Sequence, residues 1–161
     1  MRARLHVVVA AVVVLLAAAF LPMGGGTAAA QTGGRWIEVD TSRGVAMAVE
    51  DGVVVHSAFV TVGVPGWETP KGTFSIYRRV FNETMDSATI GIPHGTPGAY
   101  YLTGVLYTQY FAGGAALHYN YWSPASAFGS AAGSHGCVGM TLADSAFFWD
   151  FADLGTPVIV Y

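Results

Sequence analysis

The 161-residue chain is 53% hydrophobic and 11% charged, with one cysteine, 21 glycines and a formal net charge of −3. This composition excludes a long disordered tail, which needs low hydrophobicity and high charge, and a disulfide-stapled miniprotein, which needs several cysteines. It also lacks the basic excess of a nucleic-acid binder, so no nucleic-acid partner is expected.

The apolar excess is concentrated at the start, where Arg2 and Arg4 precede an uncharged run over 7–21, then Pro22, three glycines and the stretch Ala28-Ala29-Ala30. Fifteen apolar residues fall short of the ~20 that cross a bilayer. With small residues at Ala28 and Ala30, residues 1–30 read as a secretory signal peptide cleaved after Ala30. A retained N-terminal anchor is the alternative; on either reading 31–161 is exported, and after cleavage no stable membrane span is left. All ten acidic residues but only five of the seven basic ones lie in 31–161, a net charge of −5. A segment of this size buries roughly two-thirds of its unfolded surface, so it reads as one domain, expected to be a monomer, with no disulfide for Cys137 to make.

Residues 36–40 alternate apolar and polar, 45–50 reads as a second strand, and 53–62 is rich in β-branched residues. Ser42-Arg43-Gly44 and Asp51-Gly52 supply hairpin turns between them. A Pro/Gly loop over 64–72 precedes a further alternating run at 73–78, and 91–98 is another loop. Residues 100–111 form an aromatic-rich strand and 115–119 a shorter one, giving an antiparallel β domain. One helix follows, capped by Thr141 with Asp144 in its first turn, ended by Gly155, and presenting Leu142, Phe147, Phe148 and Phe151 as its apolar face. Residues 157–161 close the chain as a strand.

Chemistry concentrates in Ser134-His135-Gly136-Cys137, inside the Gly/Ala-rich stretch 129–139, where exposed backbone N–H groups favour a thiolate and a developing oxyanion. His118, at a strand end and separated from Ser134 by 15 intervening residues, is the candidate base. A thiol beside a histidine is expected to titrate below its free value of ~8.5. Taken alone, Cys137 also fits a small buried hydrophobe and His118 a core aromatic. Ser134 is a weaker nucleophile than the thiol three positions on, and His56 reads as a structural strand residue with no polar company. A metal held by His94, His118, His135 and Cys137 lacks any recognised ligand spacing, so no metal is expected.

His118 followed by Ser134-His135-Gly136-Cys137-Val138 resembles the signature of L,D-transpeptidases with the YkuD-type catalytic domain. Residues 36–40 are similar to that family's opening strand, Thr69-Pro70-Lys71-Gly72-Thr73-Phe74 to its TPxGxF turn, and Gly155-Thr156-Pro157-Val158 to its closing strand, so the resemblance covers 35–161. It implies a mainly β sandwich or barrel-like sheet with one packed helix, acting without metal or organic cofactor on peptidoglycan stem peptides in the periplasm or cell wall. Cys137 would attack the carbonyl of the third stem residue, a diamino acid, and release D-Ala. His118 would be the base, its tautomer fixed by the main-chain carbonyl of Tyr119. Backbone N–H groups at Gly136 and Cys137 would hold the oxyanion, Ser134 would brace the loop, and His135 would shape the substrate face. An amine of a second stem then resolves the thioester into a 3→3 cross-link; water in its place would make a carboxypeptidase. Tyr107, Tyr119, Tyr121 and Trp122 are expected to flank the peptide groove.

Three positions depart from the family pattern. Gly139 stands where relatives carry Asn or Arg at the substrate side, Tyr119 stands where many have Gly, and 128–133 lacks the usual Pro or Arg, implying a loosely held loop. A catalytically impaired peptidoglycan-binding module is the alternative that Gly139 favours.

Overall fold

The computed structural model describes residues 34–129 and 133–161; the signal peptide read at 1–30 lies outside them. The first sheet begins with β1 (Arg35–Asp40) and β2 (Val45–Glu50), antiparallel, with Trp36 opposite Val49 and Val39 opposite Ala46. Their alternation puts Ile37, Val39, Ala46 and Ala48 fully inside. The turn between them needs a left-handed Gly44, where a Cβ would also come within 2.9 Å of the Gly129 backbone, so this residue lets turn and loop touch. Asp51 and Gly52, both at positive φ, turn the chain into β3 (Val53–Phe59). β3 is the sheet edge, and Val53, Val54 and Val55 are 63%, 52% and 44% exposed despite their apolar character.

The run at 73–78 is divided between two sheets. β4 (Gly72–Ser75) pairs with the late strand β9 (Pro157–Val160), whereas Arg78 begins β5 (Arg78–Asp86) in the other sheet, opposite Tyr110. The change occurs between adjacent residues. Ile76 donates its N–H to the Thr156 carbonyl at 2.9 Å, and Tyr77 donates to the Tyr110 carbonyl at 2.9 Å. Ile76 itself is 1% exposed, filling the corner. β9 lies between β1 and β4, parallel to the first and antiparallel to the second, giving the order β3-β2-β1-β9-β4.

The second sheet has the order β5-β6-β7-β8, with β6 (Tyr101–Ala112), β7 (Ala115–Tyr119) and the three-residue β8 (Val138–Met140). β8 joins β7 in parallel, Leu117 opposite Val138 and His118 opposite Gly139. The fold is thus the expected two-sheet, mainly β architecture with one helix and no closed barrel, but each sheet carries one parallel pair in place of a wholly antiparallel ladder.

The helix α1 (Leu142–Phe151) packs on β6 and β7. Thr141 caps it as expected, its Oγ1 accepting from the Asp144 N–H at 3.2 Å and donating to Asp144 Oδ2 at 2.6 Å. Two expectations need correction. The helix ends at Phe151 with Ala152 as its cap, and the left-handed Gly155 belongs to the turn into β9. Its buried line is Ser145, Phe148 and Phe151, at three-residue spacing; Leu142 is 47% exposed and Phe147 36%. Phe147, one residue before Phe148, is about 100° around the helix from it and so sits at the rim. There it stacks on His56 with ring centroids 4.1 Å apart. His56 also has the polar company its sequence context lacked, its Nε2 lying 2.9 Å from Asp144 Oδ1.

Truncating Ile76 removes the side chain that fills the corner between the sheets. Ile76→Ala is expected to lose about 2–5 kcal/mol of stability, read as a lowered urea midpoint with an unchanged slope.

Candidate active site

The parallel register of β7 and β8 brings the two principal candidates together. His118 is opposite Gly139, and Cys137, two residues before Gly139, projects to the same face of the sheet as His118. Both side chains line one cavity of about 300 Å³, together with Met85, Tyr100, Leu102, Trp122 and His135.

His118 is 2% exposed, and its Nδ1 lies 2.9 Å from the Tyr119 carbonyl. Neutral imidazole therefore carries its proton on Nδ1 and keeps Nε2 as an acceptor. Burial depresses its pKa to about 4, partly offset by the hydrogen bond to Tyr119. Trp122 stacks on it at 5.4 Å and 23°.

Cys137 is half-buried, and its thiol donates to the Gly114 carbonyl at 3.7 Å. Burial pushes the thiol up to about 11, opposed by the backbone N–H of Ala116. This overturns the expectation of a thiol below its free value: the desolvation cost of a thiolate outweighs any help from a histidine that is itself neutral. The resting site is an uncharged thiol and an uncharged imidazole.

Ser134 braces the turn before the thiol. Its Oγ donates to the Cys137 carbonyl at 2.6 Å and accepts from the Gly136 N–H at 3.2 Å, with Gly136 at a φ of 107°. In this state the Gly136 N–H is committed to Ser134. His135 packs between two loops, 5.3 Å from the Trp67 ring and 5.4 Å from that of Tyr100, and a Cβ on Gly98 would come within 3.2 Å of its Nε2.

The loop before the thiol is held at both ends, contrary to its loose appearance in the sequence. Gly129 donates to the Val60 carbonyl at 3.0 Å and Ser134 to that of Val62 at 3.2 Å. Thr61 and Gly139 exchange both backbone hydrogen bonds, at 2.8 and 3.0 Å. Residues 130–132 lie outside the described residues.

Gly139 lies outside the wall of the cavity that Cys137 and His118 share. It is buried, and a Cβ there would sit 2.4 Å from Thr61 Oγ1 and 2.7 Å from Asn120 Nδ2. Those two groups hydrogen bond to each other at 3.2 Å, filling the space that a side chain at this position would need. Tyr107 is also absent from the cavity, its ring packing on Phe81 and Trp149 at 5.2 and 6.0 Å. Tyr119 contributes its carbonyl, and Tyr121, outside the cavity wall, ties its hydroxyl to the Thr103 carbonyl at 2.9 Å. Thr61, Asn120, Trp67 and Tyr100 escaped the sequence reading; the only signal was a polar residue, Thr61, within a β-branched run. Among the described residues no cluster of His, Cys, Asp or Glu has metal-site geometry, and no helix is long and apolar enough to cross a membrane.

This two-sheet scaffold, with a cysteine loop clamped beside a buried histidine, is that of L,D-transpeptidase catalytic domains. The structure superposes on an L,D-transpeptidase from Mycobacterium smegmatis with a TM-score of 0.74 at 32% identity, covering 79% of this chain and 58% of that one. L,D-transpeptidase 3 from Mycobacterium tuberculosis, solved in complex with a faropenem-derived adduct, gives 0.72 at 27% identity over 78% of this chain and 59% of that one. The chain belongs to this family: residues 34–160 match the YkuD family, described as the L,D-transpeptidase catalytic domain. It is 32% identical over 111 residues to probable L,D-transpeptidase 3 of Mycobacterium tuberculosis, and 32% identical over 110 residues to L,D-transpeptidase 1 of the same organism. Those matches cover 69% and 68% of this chain but only 39% and 43% of the relatives.

Two outcomes are expected. Gly139→Ala should cost about 1–3 kcal/mol in chemical unfolding, since Thr61 and Asn120 must separate to admit the methyl group. His118, whose folded pKa of about 4 lies below its ordinary 6.5, contributes stability that is complete above 6.5 and is lost as pH falls towards about 4. The urea midpoint should fall across that window, and fall less in His118→Gln.

Proposed function

We propose that the chain is an exported peptidoglycan L,D-transpeptidase that forms 3→3 cross-links through a Cys137 thioester. Residues 1–30 act as the export signal, 31–161 form the catalytic domain in the periplasm or cell wall, and the protein works as a monomer. The observation that carries this reading is the shared cavity of Cys137 and His118, with the Tyr119 carbonyl leaving His118 Nε2 as a proton acceptor.

Because thiol and imidazole rest uncharged, proton transfer accompanies attack. The thiol turns from the Gly114 carbonyl towards His118; its proton passes to Nε2 as sulfur bonds to the carbonyl carbon of the diamino acid. The Cys137 N–H faces the developing oxyanion, joined by Gly136 when Ser134 releases it. His118 then gives the proton to the D-Ala nitrogen, the C–N bond breaks, and D-Ala leaves. An amine of a second stem surrenders a proton to Nε2 and attacks the thioester, and the sulfur departs and is reprotonated. The M. tuberculosis relative solved with a faropenem-derived adduct supports the use of penem-type β-lactams as acylating probes of Cys137.

Mass spectrometry of the purified protein incubated with a disaccharide tetrapeptide tests the reading. The expected product is a dimer lacking one D-Ala, absent with Cys137→Ala. Tripeptide without dimer would make the enzyme a carboxypeptidase, and unchanged substrate would leave a wall-binding module. His118→Ala should slow acylation by about 10²–10⁴-fold. In the wild type the acylation rate should hold across neutral pH and fall as pH drops through about 4, where His118 takes up a proton.

A further inference from the structure

Asn120 follows the last residue of β7, two places after His118, and is 3% exposed. A buried side-chain amide needs partners at both ends, and Asn120 finds them in two different parts of the chain. Its Nδ2 donates to Thr61 Oγ1 at 3.2 Å, and its Oδ1 accepts from the Ser123 N–H at 3.1 Å. Its backbone N–H donates to the Met140 carbonyl at 2.9 Å, continuing the β7–β8 pairing past the strand end. Asn120 thus touches the strand that follows Cys137, the residue clamped on that strand's other edge, and the turn by which the chain leaves His118.

The bond to Ser123 closes a turn over 120–123 that contains Trp122. The side-chain carbonyl of Asn120 takes the place of a main-chain acceptor in closing it. Trp122 is 39% exposed, yet its ring lies on His118 with the planes only 23° from parallel. An exposed indole has rotamer freedom to lose on ordering, so a fixed turn is what keeps it there. Trp122 forms part of the wall of the cavity that holds His118. The other titratable groups of that wall are Tyr100, His135 and Cys137; among the described residues no carboxylate, lysine or arginine lines it. The hydration of the imidazole, and not a neighbouring charge, therefore governs its protonation.

Resting on the reading of His118 as the base, we propose that Asn120 is a positioning residue for it: the Asn120 side chain fixes the 120–123 turn so that Trp122 covers the imidazole and keeps water from it. The bond to Thr61 gives that turn a fixed reference, because Thr61 also pairs with Gly139, two residues from the thiol. The missing side chain at 139 is part of the arrangement, since a Cβ there would lie 2.7 Å from Asn120 Nδ2 and 2.9 Å from its Cβ. One amide ties the cover of the base to the strand of the nucleophile.

The test reads the His118 titration by NMR of the imidazole Cε1–H in the whole protein, the resonance assigned by its loss in His118→Gln. The wild-type midpoint should lie at about 4. Trp122→Leu and Asn120→Ala should each raise the proton affinity of His118 about tenfold, towards its ordinary 6.5, and move the acid limb of penem acylation of Cys137 upward in step. The double variant should titrate like Trp122→Leu alone, because the amide acts through the indole. A merely structural Asn120 would lower the urea midpoint and leave the His118 titration in place, which would overturn the proposal. Additive shifts in the double variant would overturn it too, as would a wild-type midpoint already at 6.5. If Asn120→Ala does not fold, Asn120→Leu, with the same branched shape and no hydrogen-bonding atoms, is read in the same way. The titration needs no stem peptide, so a protein that shows these shifts but makes no cross-link would lose the transpeptidase reading and keep the positioning role.

Discussion

The site depends on one backbone pairing, Thr61 with Gly139. β8 is three residues long and needs partners on both edges, because buried backbone groups left unpaired are costly. On one side it pairs in parallel with β7, which sets Cys137 on the same face as His118. On the other, the chain leaving β3 runs alongside it, exchanging two hydrogen bonds at Thr61 and holding the loop ends at Val60 and Val62. The first sheet thereby positions a nucleophile candidate carried by the second. The Thr61–Asn120 hydrogen bond occupies the space over Gly139, and a buried, satisfied polar pair of this kind selects one arrangement of the strands over its neighbours in register.

The electrostatic state of the site follows from the same burial. Separating charge between Cys137 and His118 would place two ions in a poorly hydrated cavity, and the protein holds both neutral instead, the thiol near 11 and the imidazole near 4. A protonated thiol is a poor target for oxidants, since the thiolate is the reactive species. A lone cysteine in a chain read as exported is thereby made less reactive towards oxidants.

The strands with strict alternation, the capped start of α1 and the Ser134–Cys137 turn were legible because each follows from a local rule: period two, a hydroxyl before a helix, glycine where φ is positive. β5 was not, because it is a largely exposed edge strand whose alternation is interrupted by Arg79, Asn82 and Glu83. The division of 73–78 was hidden because the hydrogen-bond partners of Ile76 and Tyr77 are remote in sequence. Gly139 illustrates the same limit at the site. From the motif alone it is a missing polar side chain, whereas its vacancy is the condition for Asn120 and Thr61 to meet. The direction of the thiol pKa was misjudged for a related reason: a histidine neighbour is visible in sequence, and the depth at which it is buried is not.

The place of β9 bears on how the molecule assembles. Ile37 pairs with Val158 and Phe74 with the same residue from the opposite side, so β1 and β4 have no common neighbour until a segment more than a hundred residues downstream of β1 has arrived. Contacts of such high sequence separation carry a large loop-closure entropy and place the fold among slow, topology-limited folders. In the interval, β1–β3 form a three-stranded meander with an open edge at β1 as well as the valine-rich edge at β3, a pair of surfaces on which chains associate with one another. Closure by β9 leaves only the latter, so the kinetic hazard of this fold is concentrated before the arrival of four residues.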